Sequence, residues 1–161
     1  MSWPLLKTAI FVVIVPGTVA ILVPQRLRGP GAAIVSVLHS IQLLGVLLFA
    51  LGVGLSLWCA WDFATKGKGT PLPIDAPRLL VVHGLYRFVR NPMYLGVAAL
   101  IFGQALPYQS ARIAVYGCAV FAAFTLFVRL YEEPALRRAF GLQYDEHCRR
   151  VPRWLPRIPR A

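Results

Sequence analysis

Acidic residues are scarce in this 161-residue chain, which has 6 Asp and Glu against 17 Lys and Arg. Charged residues of both signs make up only 14% of the sequence, whereas hydrophobic residues make up 58%. A soluble globular domain carries about 25% charged residues. The composition therefore excludes an ordinary soluble domain and indicates a protein that lies in a membrane.

Metal ligands and nucleophiles are also few. The 3 cysteines and 3 histidines form no Cys-x-x-Cys motif and no Cys/His ligand spacing, so neither a disulfide framework nor a metal site is predicted. No Ser/His/Asp or Cys/His arrangement indicates a protein nucleophile. The polar segments are too short to form a soluble glycine-rich nucleotide-binding domain.

The net charge of +11 raises the question of nucleic-acid binding, but no stacking motif or recognisable nucleic-acid-binding fold accompanies it. The basic residues lie instead in segments that flank apolar runs. Positive charge on the cytoplasmic side explains this placement, and contact with anionic lipid headgroups adds to it. We predict membrane lipids and not nucleic acid as partners, and no pattern indicates an oligomeric state.

Four apolar runs predict an all-α, polytopic transmembrane protein with a single domain over residues 1–161. Because a helix rises 1.5 Å per residue, about 20 residues cross the ~30 Å hydrocarbon core. Pro107-Tyr108 separates the last two runs, which predicts a tight antiparallel hairpin. After it we expect a C-terminal amphipathic cytoplasmic helix, interrupted at Gly141. The predicted spans are about 5–23, 32–61, 92–106 and 111–131.

The basic residues also predict the topology. They concentrate in the connection between spans two and three and in the tail, while the opposite side receives only Arg26, Arg28 and Arg112. The positive-inside rule then places the connection, the tail and the N-terminus in the cytoplasm. We predict a multi-pass protein of the bacterial inner membrane.

A first polar signature runs from His83 to Gly96. Asn91 is a strong helix N-cap and Pro92 suits the first helical position, so this pair predicts the start of the third span. A helix N-terminus presents free N–H groups and the positive end of a dipole, which suit a carboxylate. Tyrosines at this opening are either interfacial anchors or aromatic faces for a sulfonium cation.

A second signature begins with Glu132-Glu133, directly after the fourth span. Arg129 precedes Glu133 by four residues, which places the two on one helical face. Two interpretations remain open. In the first, the pair forms a salt bridge; in the second, a carboxylate meets the ammonium group of a cofactor and the arginine meets the acceptor substrate, and both can hold at once. The predicted topology brings both signatures to the cytoplasmic face.

Together the two signatures resemble the isoprenylcysteine carboxyl methyltransferase and phospholipid N-methyltransferase superfamily of integral membrane methyltransferases, which use S-adenosylmethionine. The resemblance covers roughly residues 66–157, and it implies cofactor-site segments at 78–96 and 129–153. In that superfamily an Arg-His-Pro-x-Tyr motif, an upstream Gly-x-Tyr and a Glu-Glu motif bind the cofactor. The implied cofactor-binding residues are Leu80, Val81, Gly84, Tyr86, Asn91, Pro92, Met93, Tyr94, Glu132 and Glu133.

The resemblance further implies catalytic roles for Arg90, Arg129 and Glu133 in methyl transfer to a lipophilic or membrane-embedded acceptor at the cytoplasmic interface. Where the acceptor is a protonated amine or an alcohol, Glu133 or Glu132 is the candidate base. Asn91 stands where the best-known members have His. Because Asn cannot titrate, an acid–base role assigned to that His does not transfer.

The sequence does not identify the methyl acceptor. The candidates are a phospholipid amine, a prenylated thiol carboxylate, a quinone-like phenol and another small lipophile. Two other functions are weighed against methyl transfer. An NADPH-dependent enzyme related to the sterol reductases would have a similar C-terminal membrane architecture, but the chain is short for it. A non-enzymatic scaffold or small transporter predicts that the Tyr86, Tyr94 and Glu133 side chains are dispensable.

Overall fold

The computed structural model of the protein describes residues 16–29, 40–62, 80 and 82–157. Over these ranges the chain is helical and contains no β-strand. The α-helices are α1 (Val23–Leu27), α2 (Ser40–Asp62), α3 (Pro92–Ala105), α4 (Ala111–Phe127), α5 (Glu133–Phe140) and α6 (Leu142–Arg150). A π-helical turn, Thr18–Leu22, precedes α1, and a second one, Val128–Glu132, joins α4 to α5. A 3-10 turn, Gly84–Arg87, precedes α3.

Two of the described helices are long and apolar enough to cross a membrane. These are α2, with 23 residues, and the continuous helix Ala111–Phe140, with 30 residues. Leu44, Leu47 and Leu57 of α2 are exposed on the protein surface, as lipid-facing side chains are. Helix α3 has 14 residues, which gives ~21 Å against a hydrocarbon core of ~30 Å. The expectation of four spans therefore remains a prediction.

The helices agree with the predicted spans in part. Helix α2 contains the described part of span two, and 32–39 lie outside the described residues. Residues 5–15 of span one also lie outside the described residues. The helix of span one continues to Leu27 and does not end at 23. Helix α3 matches span three, and α4 begins where span four was predicted to begin. The continuous helix that contains α4 does not end at 131, because it runs through the π-helical turn and α5 to Phe140.

Pro24 lies inside the continuous helix Thr18–Leu27. It is tolerated there because side chains of other helices donate hydrogen bonds to the carbonyl groups that it leaves unpaired. Proline has no N–H, so the carbonyls one turn before it lose their helical donor. The Gln104 amide donates to the Ala20 carbonyl oxygen, and the Tyr116 hydroxyl donates to the Val19 carbonyl oxygen at 2.9 Å. These two bonds hold the first helix against α3 and α4.

Helix α3 packs closely against α2 and forms an antiparallel hairpin with α4, as predicted. A Cβ atom on Gly52 of α2 would lie 2.8 Å from the Gly96 carbonyl oxygen of α3. The two backbones can approach this closely only because both positions are glycine. The antiparallel order of the hairpin follows from Tyr94, at the start of α3, whose ring centroid lies 4.7 Å from that of Phe124 near the end of α4.

The predicted amphipathic helix after residue 132 is two short helices. Helix α5 ends at Phe140, Gly141 adopts a φ of +52°, and α6 begins at Leu142. A positive φ of this kind is readily adopted by glycine alone. The interruption predicted at Gly141 is therefore confirmed, and it turns the chain so that α6 and the following segment return to the start of α3.

Candidate active site

The two signatures meet at one end of the helix bundle. Residues 151–157, which we call the C-terminal strap, lie beside the segment that leads into α3. The Arg90 N–H donates to the Pro152 carbonyl at 2.9 Å, and the Arg157 N–H donates to the Phe88 carbonyl at 2.9 Å. The structure thus brings segments 78–96 and 129–153 together over their described residues.

Glu133 is the centre of a buried ionic cluster, the Arg90–Glu133–Arg153 triad. Its Oε1 atom lies 3.0 Å from Arg90 Nη1 and 2.7 Å from Arg153 Nε, and its Oε2 atom lies 2.9 Å from Arg153 Nη2. The Glu133 side chain is 11% exposed and that of Arg90 13%. The hydrogen bond to Glu133 raises the pKa of Arg153. Two guanidinium groups therefore stabilise this carboxylate in its charged form.

Arg90 also connects the triad to α6. Its Nη1 atom lies 2.8 Å from Cys148 Sγ, and its buried Nε atom has no hydrogen-bond partner among the described residues. Burial lowers the pKa of His147, and the positive charge of Arg90 lowers it further. Burial raises the pKa of Tyr144, which belongs to the same helix. Arg90 thus lies where both signatures and α6 converge.

Glu132 has a different environment from Glu133. Its Oε2 atom accepts a hydrogen bond from the Tyr94 hydroxyl at 2.9 Å. Among the described side chains no Lys or Arg forms an ion pair with it. The side chain is half-buried. Glu132 is therefore a carboxylate that meets a neutral donor at the start of α3.

The interpretation of Arg129 and Glu133 as a salt bridge is wrong. The ion pairs of Glu133 go to Arg90 and Arg153, which reach it from segments that pack against α5. Arg129 lies on the π-helical turn and is exposed. The guanidinium of Arg129 is consequently available for an interaction outside the described residues.

Asn91 and Pro92 occupy the predicted positions at the start of α3, but Asn91 does not cap the helix with its side chain. Its amide Nδ2 instead donates to the Arg153 carbonyl oxygen at 3.2 Å. The strap thereby replaces the helix as the partner of this side chain. The first N–H groups of α3 are left without an Asn91 cap, and they include those of Met93 and Tyr94.

The upstream Gly-x-Tyr element lies against the end of α2. Gly84 has a φ of +60°, which favours glycine. Tyr86 is buried and packs with Cys59, Leu85 and Met93. Burial also raises its pKa well above the ordinary value. Leu80 is half-buried, and Val81 lies outside the described residues.

Asp62, at the end of α2, contributes to this site and was not predicted. Asp62 is buried, accepts a hydrogen bond from Trp58 Nε1 at 3.1 Å and lies directly against Gly84. A side chain at position 84 would collide with its carboxylate. The available signal was its position, because Asp62 is the first charged residue after the uncharged run 32–61. The side chain of the neighbouring Trp61 is exposed.

Comparison with known proteins identifies the family of this chain. A family model described as phospholipid methyltransferase matches residues 41–143. Two rice proteins, from Oryza sativa subsp. indica and Oryza sativa subsp. japonica, are each named probable protein-S-isoprenylcysteine O-methyltransferase. Each is 31% identical to this chain over 80 residues, an alignment that covers 49% of the chain and 41% of the rice protein. The family match includes both the Gly-x-Tyr element and the Glu-Glu pair. The chain belongs to the phospholipid methyltransferase family.

Proposed function

We propose that the protein transfers a methyl group from S-adenosylmethionine to a lipophilic or membrane-embedded acceptor at the cytoplasmic face of the membrane. The main support is the meeting of the two signatures at one end of the bundle, where Tyr94 donates to Glu132 and Arg90 and Arg153 bind Glu133. The membership of a methyltransferase family gives the reaction class. The cytoplasmic location rests on the distribution of basic residues.

The residues at this site fit the charges of S-adenosylmethionine. The cofactor has an ammonium group, a carboxylate and a sulfonium. Glu132, whose donor among the described residues is the neutral Tyr94 hydroxyl, suits a positive group. The start of α3, which Asn91 leaves uncapped, suits a carboxylate. Tyr86, Met93 and Leu80 would form the remaining wall.

The two adjacent carboxylates take different roles in this proposal. Glu133 already carries three hydrogen bonds from arginines, so it holds the strap and the first signature in place. Glu132 is left to bind the cofactor's positive group. It is also the better base where the acceptor must lose a proton, because the arginines favour the charged form of Glu133.

When bound, S-adenosylmethionine supplies the electrophilic methyl group, so the chain itself needs no nucleophile. The protein's part is to align the reactants and to exclude water. The exposed Arg129, one helical turn before Glu133, is assigned to the acceptor. An anionic headgroup or a carboxylate on the acceptor is the chemistry that a guanidinium at this position would recognise.

Binding by isothermal calorimetry in lipid nanodiscs tests the proposal. The parent protein should bind S-adenosylmethionine and S-adenosylhomocysteine. Glu132→Gln should weaken S-adenosylmethionine by about ten- to hundredfold, which corresponds to the roughly 1.5–3 kcal/mol of a charge-assisted hydrogen bond. Glu146→Gln, on the exposed surface of α6, is the matched control and should bind as the parent does. Absence of binding of either compound to the folded parent would contradict the proposal.

The acceptor can be found with methyl-labelled cofactor. Purified protein is incubated with the labelled cofactor and a total membrane lipid extract, and the labelled product is identified by mass spectrometry. Once it is known, Arg129→Ala should lower the rate of turnover while cofactor affinity stays within about twofold of the parent. A loss of cofactor affinity in Arg129→Ala with unchanged turnover would reverse the assignment of Arg129.

A further inference from the structure

We propose that Trp154 is a positioning residue of this site, which fixes the Tyr94 ring and through it the carboxylate of Glu132. The proposal rests on the proposed function, since it concerns the binding of the same cofactor. Trp154 lies in the C-terminal strap, outside both signatures and beyond the residues that the family model matches.

The strap is anchored on both sides of Trp154. Before it, the Pro152 carbonyl accepts from the Arg90 N–H, and Arg153 makes two hydrogen bonds to Glu133. After it, the Arg157 N–H donates to the Phe88 carbonyl. Because the backbone is held on both sides of Trp154, the strap fixes the position of its Cα atom and the direction in which the indole extends.

The indole packs against two elements at once. Its ring centroid lies 4.9 Å from that of Phe121 on α4, with an interplanar angle of 54°. It lies 6.4 Å from the Tyr94 ring on α3, in an edge-to-face arrangement at 71°. On another side the Tyr94 ring lies 4.7 Å from Phe124. These are the separations at which aromatic pairs attract.

The Tyr94 ring is therefore held between a residue of α4 and a residue of the strap. Its hydroxyl can be directed only where the ring allows, and it donates to Glu132 Oε2 at 2.9 Å. Without the indole the ring gains rotational freedom on the strap side. The hydroxyl then orients the Glu132 carboxylate less often, and the affinity for a positively charged ligand falls.

A double-mutant cycle tests whether Trp154 acts through the Tyr94 hydroxyl. The dissociation constant of S-adenosylmethionine is measured for the parent, Trp154→Ala, Tyr94→Phe and the double variant, all in nanodiscs. Trp154→Ala should weaken binding by roughly three- to tenfold, the loss expected for one aromatic pair. In the Tyr94→Phe background the same substitution should change binding by less than about twofold, because the hydroxyl through which it acts is gone.

Two further variants separate positioning from folding. Leu155→Ala alters the neighbouring, exposed residue of the strap and should bind as the parent does. Trp154→Phe keeps an aromatic ring and should recover at least half of the lost affinity, on a logarithmic scale. It also takes the place of Trp154→Ala in the cycle if that variant fails to fold, with a smaller expected loss.

Each outcome bears on one of the two proposals. If Trp154→Ala lowers the affinity for S-adenosylmethionine equally in the parent and Tyr94→Phe backgrounds, the role of Trp154 is overturned and the proposed function is not affected. The same conclusion holds if neither Trp154→Ala nor Trp154→Phe lowers the affinity while the parent binds. A folded parent that binds neither S-adenosylmethionine nor S-adenosylhomocysteine would overturn both. Loss of affinity in the parent background alone, with recovery in Trp154→Phe, is the result that we expect.

Discussion

The Arg90–Glu133–Arg153 triad predicts a large effect of Glu133→Gln on stability. The carboxylate accepts three arginine hydrogen bonds of 2.7–3.0 Å, and its side chain is 11% exposed. Gln keeps the shape but removes the charge, which leaves two guanidinium groups without their counter-ion. Breaking a buried ion pair costs about 3–5 kcal/mol. We expect about 3 kcal/mol, because the Arg153 side chain remains 24% exposed to screening.

The matched control is Glu146→Gln, which removes the same charge from a surface pair. The Glu146 and Arg150 side chains are 62% and 75% exposed, so the cost should be no more than about 0.5 kcal/mol. Unfolding in nanodiscs can be followed through the reaction of a thiol probe with Cys59, which is fully buried in the folded protein, in a background in which Cys118 and Cys148 are replaced by serine. If the two variants lose the same stability, the triad does not support the fold and our reading of Glu133 is wrong.

Three further predictions follow from other parts of the molecule. Gly52→Ala should cost about 1–3 kcal/mol, because its Cβ would lie 2.8 Å from the backbone of α3, whereas Gly54→Ala, with open space around it, should be nearly neutral by the same unfolding assay. Since burial lowers the pKa of His147, the unfolded chain binds more protons below pH 7. The unfolding temperature should therefore fall between pH 7.5 and 5.5, and less so in His147→Gln. Cysteines at Arg87 and Gln109, in a background without the native cysteines, should react from opposite sides of sealed vesicles, and labelling from one side would refute the topology.

Local signals in the sequence were enough to predict the hairpin, the start of α3 and the interruption at Gly141. Asn91-Pro92 starts α3 because proline fixes a helical φ and needs no N–H partner there. Gly141 ends α5 because its backbone adopts a positive φ. Both features depend on one or two residues and their own backbone, so no knowledge of distant contacts was required.

Several features that the sequence did not reveal depend on distant partners. Pro24 is tolerated in a helix because Gln104 and Tyr116, on two other helices, donate to the carbonyls that it leaves unpaired. The Asn91 side chain does not cap α3, because its amide donates to the Arg153 carbonyl oxygen of the strap. The helical spacing of Arg129 and Glu133 predicted a local pair, but arginines from two other segments bind Glu133 instead. Local spacing identifies which residues can meet, while packing decides which of them do.

The Glu-Glu pair shows why the environment of each residue must be known before a role is assigned. Successive residues of a helix are rotated by roughly 100°, so neighbouring side chains face different surroundings. Glu132 faces the start of α3 and meets the Tyr94 hydroxyl, whereas Glu133 faces the strap and meets Arg153. Glu133 is neutralised by two arginines of the protein, whereas the donor to Glu132 among the described residues is a neutral hydroxyl. A pair of acidic residues can thus join two segments and bind a ligand at the same time, and replacing Glu132 and Glu133 separately should lower ligand affinity in the first case and stability in the second.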